Sequence, residues 1–209
     1  MIIGITGNSG SGKTSISRLL GTVPMRQNVA KGTHLYADII NADEVVKEMS
    51  MPGTTYYEKI IKAFGEDILL QSGEIDKPKL ADIIFKDNEK RDVLNSLTFK
   101  YIVEEIKTRA NLSKSEIVII DAPLLIESKL NEICDVVISV IADENIKLKR
   151  ICARDNIDKN TALNRIKAQP KNEFYIKNSD LVVENNNESD LIKAIEEIKK
   201  WLKRGQSPF

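Results

Sequence analysis

An α/β fold of three layers, with a five-stranded parallel sheet between layers of helices, is the architecture this sequence predicts. Three observations predict it. Short runs that are apolar throughout, rather than alternating, recur along the chain, as strands buried on both faces require. Helical patterns separate those runs. A glycine-rich loop joins the first run to the first helix. The 209 residues predict one domain with an inserted subdomain, and 42% hydrophobic residues suffice for a buried core.

The elements follow in order. Residues 1–6 (MIIGIT) form the first strand, and residues 14–20 (TSISRLL) the first helix, with Ile16, Leu19 and Leu20 on one face. Residues 21–36 contain the breakers Pro24 and Gly32 and take no assignment. Residues 38–43 (DIINAD) are the second strand, and 117–123 (IVIIDAP) the third, ending in Asp121 and a helix-breaking proline. Residues 135–142 and 180–185 supply the fourth and fifth. Between the second and third strands, residues 44–116 carry only helical patterns, among them 56–70 and 89–112. A single crossover needs far fewer residues, so a helical flap is expected at the carboxyl edge of the sheet. Ligands of open α/β sheets bind at that edge. Residues 144–175, rich in Arg, Lys, Asp and Asn, form a second insertion. In the final helix, 190–203, Leu191, Ile195, Ile198, Trp201 and Leu202 make one stripe, read as core contacts. The expected organisation is a core (1–45, 115–143, 176–205), a helical insertion (46–114) and a lid (144–175), with a frayed RGQSPF tail.

Composition excludes several classes. Thirty-one basic residues balance 31 acidic ones. A general nucleic-acid binder shows a basic excess, so no nucleic-acid partner is expected. No apolar run reaches the ~18 residues that span a bilayer, and no secretory leader pattern is present. Cys134 and Cys152 sit in hydrophobic surroundings and read as buried, reduced thiols. Together these predict a cytoplasmic globular protein, with a monomer as the favoured working unit.

Gly7-Asn8-Ser9-Gly10-Ser11-Gly12-Lys13-Thr14 matches the phosphate-loop pattern G-x-x-x-x-G-K-[ST] without a mismatch, and it lies in the required place between a buried strand and a helix. The glycines let successive N–H groups turn inward as a nest for a polyanion, while the following helix aims its positive end there. Lys13 can reach the β- and γ-phosphates, and the Thr14 hydroxyl can ligate Mg²⁺. The loop predicts the P-loop NTPase version of the α/β fold, with a nucleoside triphosphate and Mg²⁺ as ligands. Asp121, at the end of a buried strand, is placed to hold the Mg²⁺ shell, and Ala122 follows where a water-activating ATPase has glutamate. No asparagine-lysine-x-aspartate signature of guanine binding occurs. Arg150, Arg154 and Arg165 in the lid can neutralise charge developing on a transferred phosphoryl group. The sum is a small-molecule kinase.

Seven collinear phrases carry a resemblance that covers nearly the whole chain, roughly residues 2–198. They are the phosphate loop; NADEVVKEM with PGTTYYEKIIKAFGEDIL; GEIDKPKLADIIF; LNSLTFKYI; DAPLLIES; LKRICARD with RIKAQ; and SDLVVEN. In these the chain resembles the dephospho-coenzyme A kinase family, which moves the γ-phosphoryl of ATP to the ribose 3′-hydroxyl of dephospho-CoA. The resemblance implies a nucleoside monophosphate kinase-like fold, with dephospho-CoA as the small-molecule partner. By position it implies that Gly7, Gly10, Ser11, Gly12, Lys13, Thr14 and Ser15 hold the ATP phosphates, with Asn185 near the adenine. Thr14 and Asp121 serve the metal. Arg150 and Arg154 are lid arginines. Phe64, Gly65, Leu80, Leu124, Leu125 and Glu127 belong to the acceptor side. Two positions depart from the family's pattern. Asn41, in Asn41-Ala42-Asp43, stands where the family usually has its general-base aspartate, leaving Asp43. Phe99-Lys100 stand where it usually has histidine-proline, and the sole histidine, His34, lies in the unassigned stretch. An amide can orient a hydroxyl but cannot take its proton. Two other readings remain open: a kinase for another nucleoside or nucleotide hydroxyl, and a nucleotide-binding regulator that has lost catalysis.

Overall fold

The computed structural model describes residues 1–28 and 33–204; the rest of the tail, from 205, and part of the unassigned stretch, 29–32, lie outside them. In chain order the elements are β1 (Ile2–Thr6), α1 (Lys13–Thr22), β2 (Arg26–Asn28), β3 (Thr33–Leu35), β4 (Ala37–Asn41), α2 (Ala42–Met49), α3 (Thr55–Phe64), α4 (Lys77–Lys86), α5 (Asn88–Leu112), β5 (Ile117–Asp121), β6 (Val136–Ile141), α6 (Glu144–Asp155), α7 (Lys159–Lys167), α8 (Asn172–Lys177), β7 (Leu181–Glu184) and α9 (Glu188–Arg204).

The main sheet has the order β4-β5-β1-β6-β7, with β1 parallel to β5 and β6, and β6 parallel to β7. The apolar runs are buried as their composition demands: every residue of β5 and β6 is buried. Side chains supply hydrogen bonds where strands begin. Asp135 accepts the Ile2 N–H at 2.7 Å, and Asp180 accepts the Val137 N–H at 2.8 Å. The core joins Ile3, Ile5, Ile16, Ile119 and Ile138 to the α9 stripe, where Ala194, Ile195, Ile198 and Leu202 are buried and Leu191 and Trp201 pack beside them. The stripe read from the sequence is therefore core. Ile5→Val, at the centre of the sheet, is expected to cost about 0.5–1.5 kcal/mol, read as a lower denaturation midpoint with an unchanged slope.

The chain divides into two compact units, 1–40 with 112–209, and 41–111. Residues 144–175 belong to the first. There α6 and α7 share a small cluster of Ile151, Ala162 and Ile166, with Leu148, Cys152 and Ile157 against it. Both cysteines are free. Burial pushes the Cys134 thiol up to about 12, so it stays protonated at neutral pH.

Three assignments differ in kind from the sequence reading, beyond shifts of a residue or two at element ends. The second strand stops at Asn41 and α2 begins at Ala42, because the Asn41 side chain caps the helix, accepting the Glu44 N–H at 3.1 Å. The pattern over 56–70 is α3 followed by a short 3₁₀ turn, split where Gly65 adopts φ 84°. Within the unassigned 21–36, β2 and β3 form an antiparallel pair, and His34 lies in β3.

Candidate active site

The central strand delivers the chain to its phosphate loop. β1 ends at Thr6 and α1 begins at Lys13, so Gly7–Gly12 form the turn, and Gly12 is the N-cap of α1. Gly12 has φ 88°, a left-handed conformation that L side chains rarely adopt. Ser15, in the first turn of α1, donates its N–H to Gly12 O at 3.0 Å. The helix thus directs its unsatisfied N–H groups and positive end into the loop.

Lys13 and Asp121 meet here from elements 108 residues apart. Lys13 Nζ donates to Asp121 Oδ1 at 2.8 Å, with the side chains 12% and 1% exposed. The other carboxylate oxygen accepts from the Ser17 hydroxyl at 2.8 Å, and the same hydroxyl lies 3.1 Å from Thr14 O. Asp121 is thereby fixed beneath the loop, one hydroxyl away from the first turn of α1. Ser17 was not singled out from the sequence, although its place three residues after Thr14 puts it on the same helix face.

Residues of the segment 144–175 lie against the loop at Asn8 and Ser9. Asn8 Nδ2 donates to Pro170 O at 2.7 Å, and the Ser9 N–H donates to Gln169 Oε1 at 2.9 Å. Arg154 Nη2 donates to the Ser9 hydroxyl at 3.2 Å and to Asp155 Oδ2 at 2.9 Å, while its Nε bonds Asp155 Oδ1 at 2.7 Å. Arg165 reaches the same carboxylate at 2.6 Å. The hydrogen bond from Arg154 holds the Asp155 carboxyl below its ordinary range, with the charges of both arginines adding to it. Arg150 is turned inward instead, its Nη1 facing Gly10 O, Ser11 O and Asn185 O at 3.2, 3.3 and 2.8 Å. Asn185 is buried and donates its Nδ2 to Ser11 O at 2.8 Å. Gln169 sits in the RIKAQ phrase, but its role in holding the loop depends on a contact 160 residues away in sequence. Lys147 also went unremarked: it is 5% exposed and hydrogen-bonded to Asn172, and burial pushes its ammonium down.

The residues expected to serve the metal are hard oxygen donors on the loop and on β5. Thr14 offers a hydroxyl and Asp121 a carboxylate, which suits Mg²⁺, an ion usually held by one or two carboxylates together with substrate phosphates. No cluster of three or more His, Cys, Asp or Glu able to hold a metal occurs among the described residues, so these two groups fit a phosphate-borne ion rather than a closed protein cage.

The segment after β5 carries three expected acceptor residues. Leu124 is 47% exposed and open to a ligand. Leu125 is fully buried, and its side chain fills the space that Gly4 leaves by lacking a Cβ, so it serves the core. Glu127 is half-buried, with Oε2 lacking a partner among the described residues, and burial pushes its carboxyl up. Burial and the Glu127 charge push the Tyr175 phenol up to about 12. Within the unit 41–111, Asn41 and Asp43 stand at the start of α2, Phe64 and Gly65 at the end of α3, and half-buried Leu80 on α4. Phe99 and Lys100 lie within α5, which runs unbroken for 25 residues. No helix among the described residues is long and apolar enough to cross a membrane.

Comparison with known proteins shows the family and the fold. A family model described as dephospho-CoA kinase matches residues 1–190. The dephospho-CoA kinase of Fusobacterium nucleatum is 37% identical over 197 residues, covering 94% of this chain and 95% of that protein. The dephospho-CoA kinase of Carboxydothermus hydrogenoformans is 36% identical over 205 residues, covering 96% and 94%. Among solved structures, a Thermus thermophilus protein shares the fold with a TM-score of 0.77 at 24% identity, covering 97% of each chain.

Proposed function

The chain belongs to the dephospho-CoA kinase family, and we propose that it transfers the γ-phosphoryl group of ATP to the ribose 3′-hydroxyl of dephospho-CoA, the last step of coenzyme A biosynthesis. The observation that carries this reading is a complete phosphate loop, with its lysine and strand-end aspartate in contact, in a chain similar to such kinases along almost its whole length.

The donor phosphates enter the nest of Gly7, Gly10, Ser11, Gly12, Thr14 and Ser15. Lys13 leaves Asp121 for the β- and γ-phosphates, a short swing because the carboxylate lies directly below. Thr14 and Asp121 would hold Mg²⁺, which supplies charge neutralisation and geometry to the transferred group. The ribose 3′ oxygen attacks the γ phosphorus, the bond to the β-phosphate oxygen breaks, and ADP leaves. Arg154, 60% exposed beside Ser9, neutralises the equatorial oxygens as they pass across. Asp43 receives the hydroxyl proton and Asn41 orients the hydroxyl. Phe64, Gly65, Leu80, Leu124 and Glu127 serve the acceptor.

Incubation with Mg-ATP and dephospho-CoA should yield a product heavier by one phosphoryl group, and digestion should locate it on the 3′ oxygen. Product formed only from other nucleosides would replace the acceptor. ATP binding with no product from any acceptor would favour the regulator reading.

A further inference from the structure

We propose that Asn185 and Arg150 form an outer brace on the phosphate loop, positioning residues that fix its backbone before nucleotide arrives. The inference rests on the donor half of the proposed function and not on the acceptor's identity.

The brace is built at the ends of two strands. Asn185 follows β7, and its own N–H donates to Ile141 O, the last residue of β6, at 3.0 Å. Its side chain is 3% exposed and donates Nδ2–H to Ser11 O at 2.8 Å. Arg150, on α6, adds a guanidinium nitrogen facing Ser11 O, Gly10 O and Asn185 O. One nitrogen near three carbonyls clamps them by charge as much as by individual hydrogen bonds.

Peptide geometry carries the consequence across the loop. In a planar trans peptide the C=O and the following N–H point in opposite directions. Two donors holding Ser11 O outward therefore hold the Gly12 N–H inward, toward the nest. A cationic donor on the carbonyl also polarises the peptide and strengthens that N–H. The fit is close. A Cβ on Gly12 would stand 2.0 Å from Asn185 Nδ2, so the glycine is required by the brace as well as by its φ. A Cβ on Gly10 would meet the Lys147 backbone at 2.8 Å, which puts α6 flush against the loop's other shoulder. Donors fixed beforehand need no reorganisation when charge develops.

The arrangement also separates the two lid arginines. They are one helical turn apart on α6, yet Arg150 faces loop carbonyls while Arg154 faces the Ser9 hydroxyl. Arg150 acts through the loop, whereas Arg154, bonded to Asp155 and Ser9, is the one of the two that the proposed function sets at the transferred group.

The resemblance instead puts Asn185 near the adenine, and the two roles separate by ligand. Binding of Mg-ATP, adenosine and Mg-tripolyphosphate is to be measured by calorimetry for the natural chain, Asn185→Ala, Asn185→Asp, Arg150→Met and Arg150→Lys. Asn185→Ala should weaken ATP and tripolyphosphate alike, by about tenfold, and leave adenosine unchanged. Asn185→Asp, which turns a carboxylate on Ser11 O, should weaken both further. Arg150→Met should reproduce the loss, and Arg150→Lys, retaining a cation for the carbonyls, should recover part of it. Tripolyphosphate binding unchanged in both Asn185→Ala and Arg150→Met would overturn the brace, and a loss confined to ATP and adenosine would return Asn185 to the base. If Asn185→Ala fails to fold, the Arg150 pair decides. None of these arms needs an acceptor, so a failed kinase assay and a failed brace read out separately.

Discussion

Lys13→Ala is expected to lower phosphoryl transfer by at least about a thousandfold, the scale on which preorganised charges at a transferring phosphoryl group act. The loss has two sources that can be measured apart. The first is chemical: Lys13 is the lysine of the loop motif itself, and the nest's N–H groups carry only partial charges against a polyanion. The second is structural. Lys13 is the ion-pair partner of Asp121, a carboxylate 1% exposed. Removing one member of a buried pair leaves the other uncompensated, at a cost of about 3–5 kcal/mol. Ser17 still donates to Asp121 and softens that cost. Lys13→Ala should therefore unfold earlier as well as lose activity. Adding Asp121→Asn removes the stranded charge, so the double variant should regain thermal stability while remaining inactive. Activity within tenfold of the natural chain in a folded Lys13→Ala protein would refute the role given to this lysine.

The same pair marks how far the sequence could be read. Lys13 and Asp121 each announced themselves locally, one by its loop and one by closing a buried strand. Their contact follows once β1 and β5 are neighbours, and the parallel register sets Ile5 opposite Asp121. Apolar runs were legible because full burial leaves no room for alternation. The α9 stripe was legible because its period is that of a helix packed on one face. The β2–β3 pair was not, since RQN and THL show neither apolar runs nor alternation. Gly65 could have marked the end of α3, but a glycine inside an amphipathic pattern gives no notice of its φ. Arg150, Gln169 and Asn185 were harder still. A polar side chain that holds a distant backbone carbonyl has no local signature, because its partner is chosen by the tertiary fold. A lid arginine that braces a loop and one that meets phosphate look alike in sequence.

Asn41→Asp is expected to leave the fold intact and to raise kcat, by as much as about a hundredfold if proton transfer limits the rate. The structural half follows from the cap. Asn41 Oδ1 accepts the Glu44 N–H at 3.1 Å, and aspartate caps a helix about as well as asparagine. A carboxylate has two oxygens, so one can keep the cap while the other takes the acceptor's proton. The helix dipole favours the added negative charge, whereas Asp43 and Glu44 in the first turn oppose it. The chemical half follows from what an amide cannot do. With asparagine at 41, the proton falls to Asp43, and loss of a general base typically costs 10²–10⁴-fold. Asp43→Asn in the natural chain should therefore cut kcat within that range, and Asn41→Asp should rescue it. Asn41→Ala separates cap from chemistry: it should lower stability by about 1 kcal/mol. If Asn41 only caps, kcat should hardly change; if Asn41 orients the hydroxyl, kcat should fall with thermal stability. A clear fall in kcat for a folded Asn41→Asp protein would show that the amide itself, through an N–H donor that a carboxylate lacks, holds the acceptor. In that case the departure at position 41 would be a feature of substrate recognition, and the proton would leave through another group.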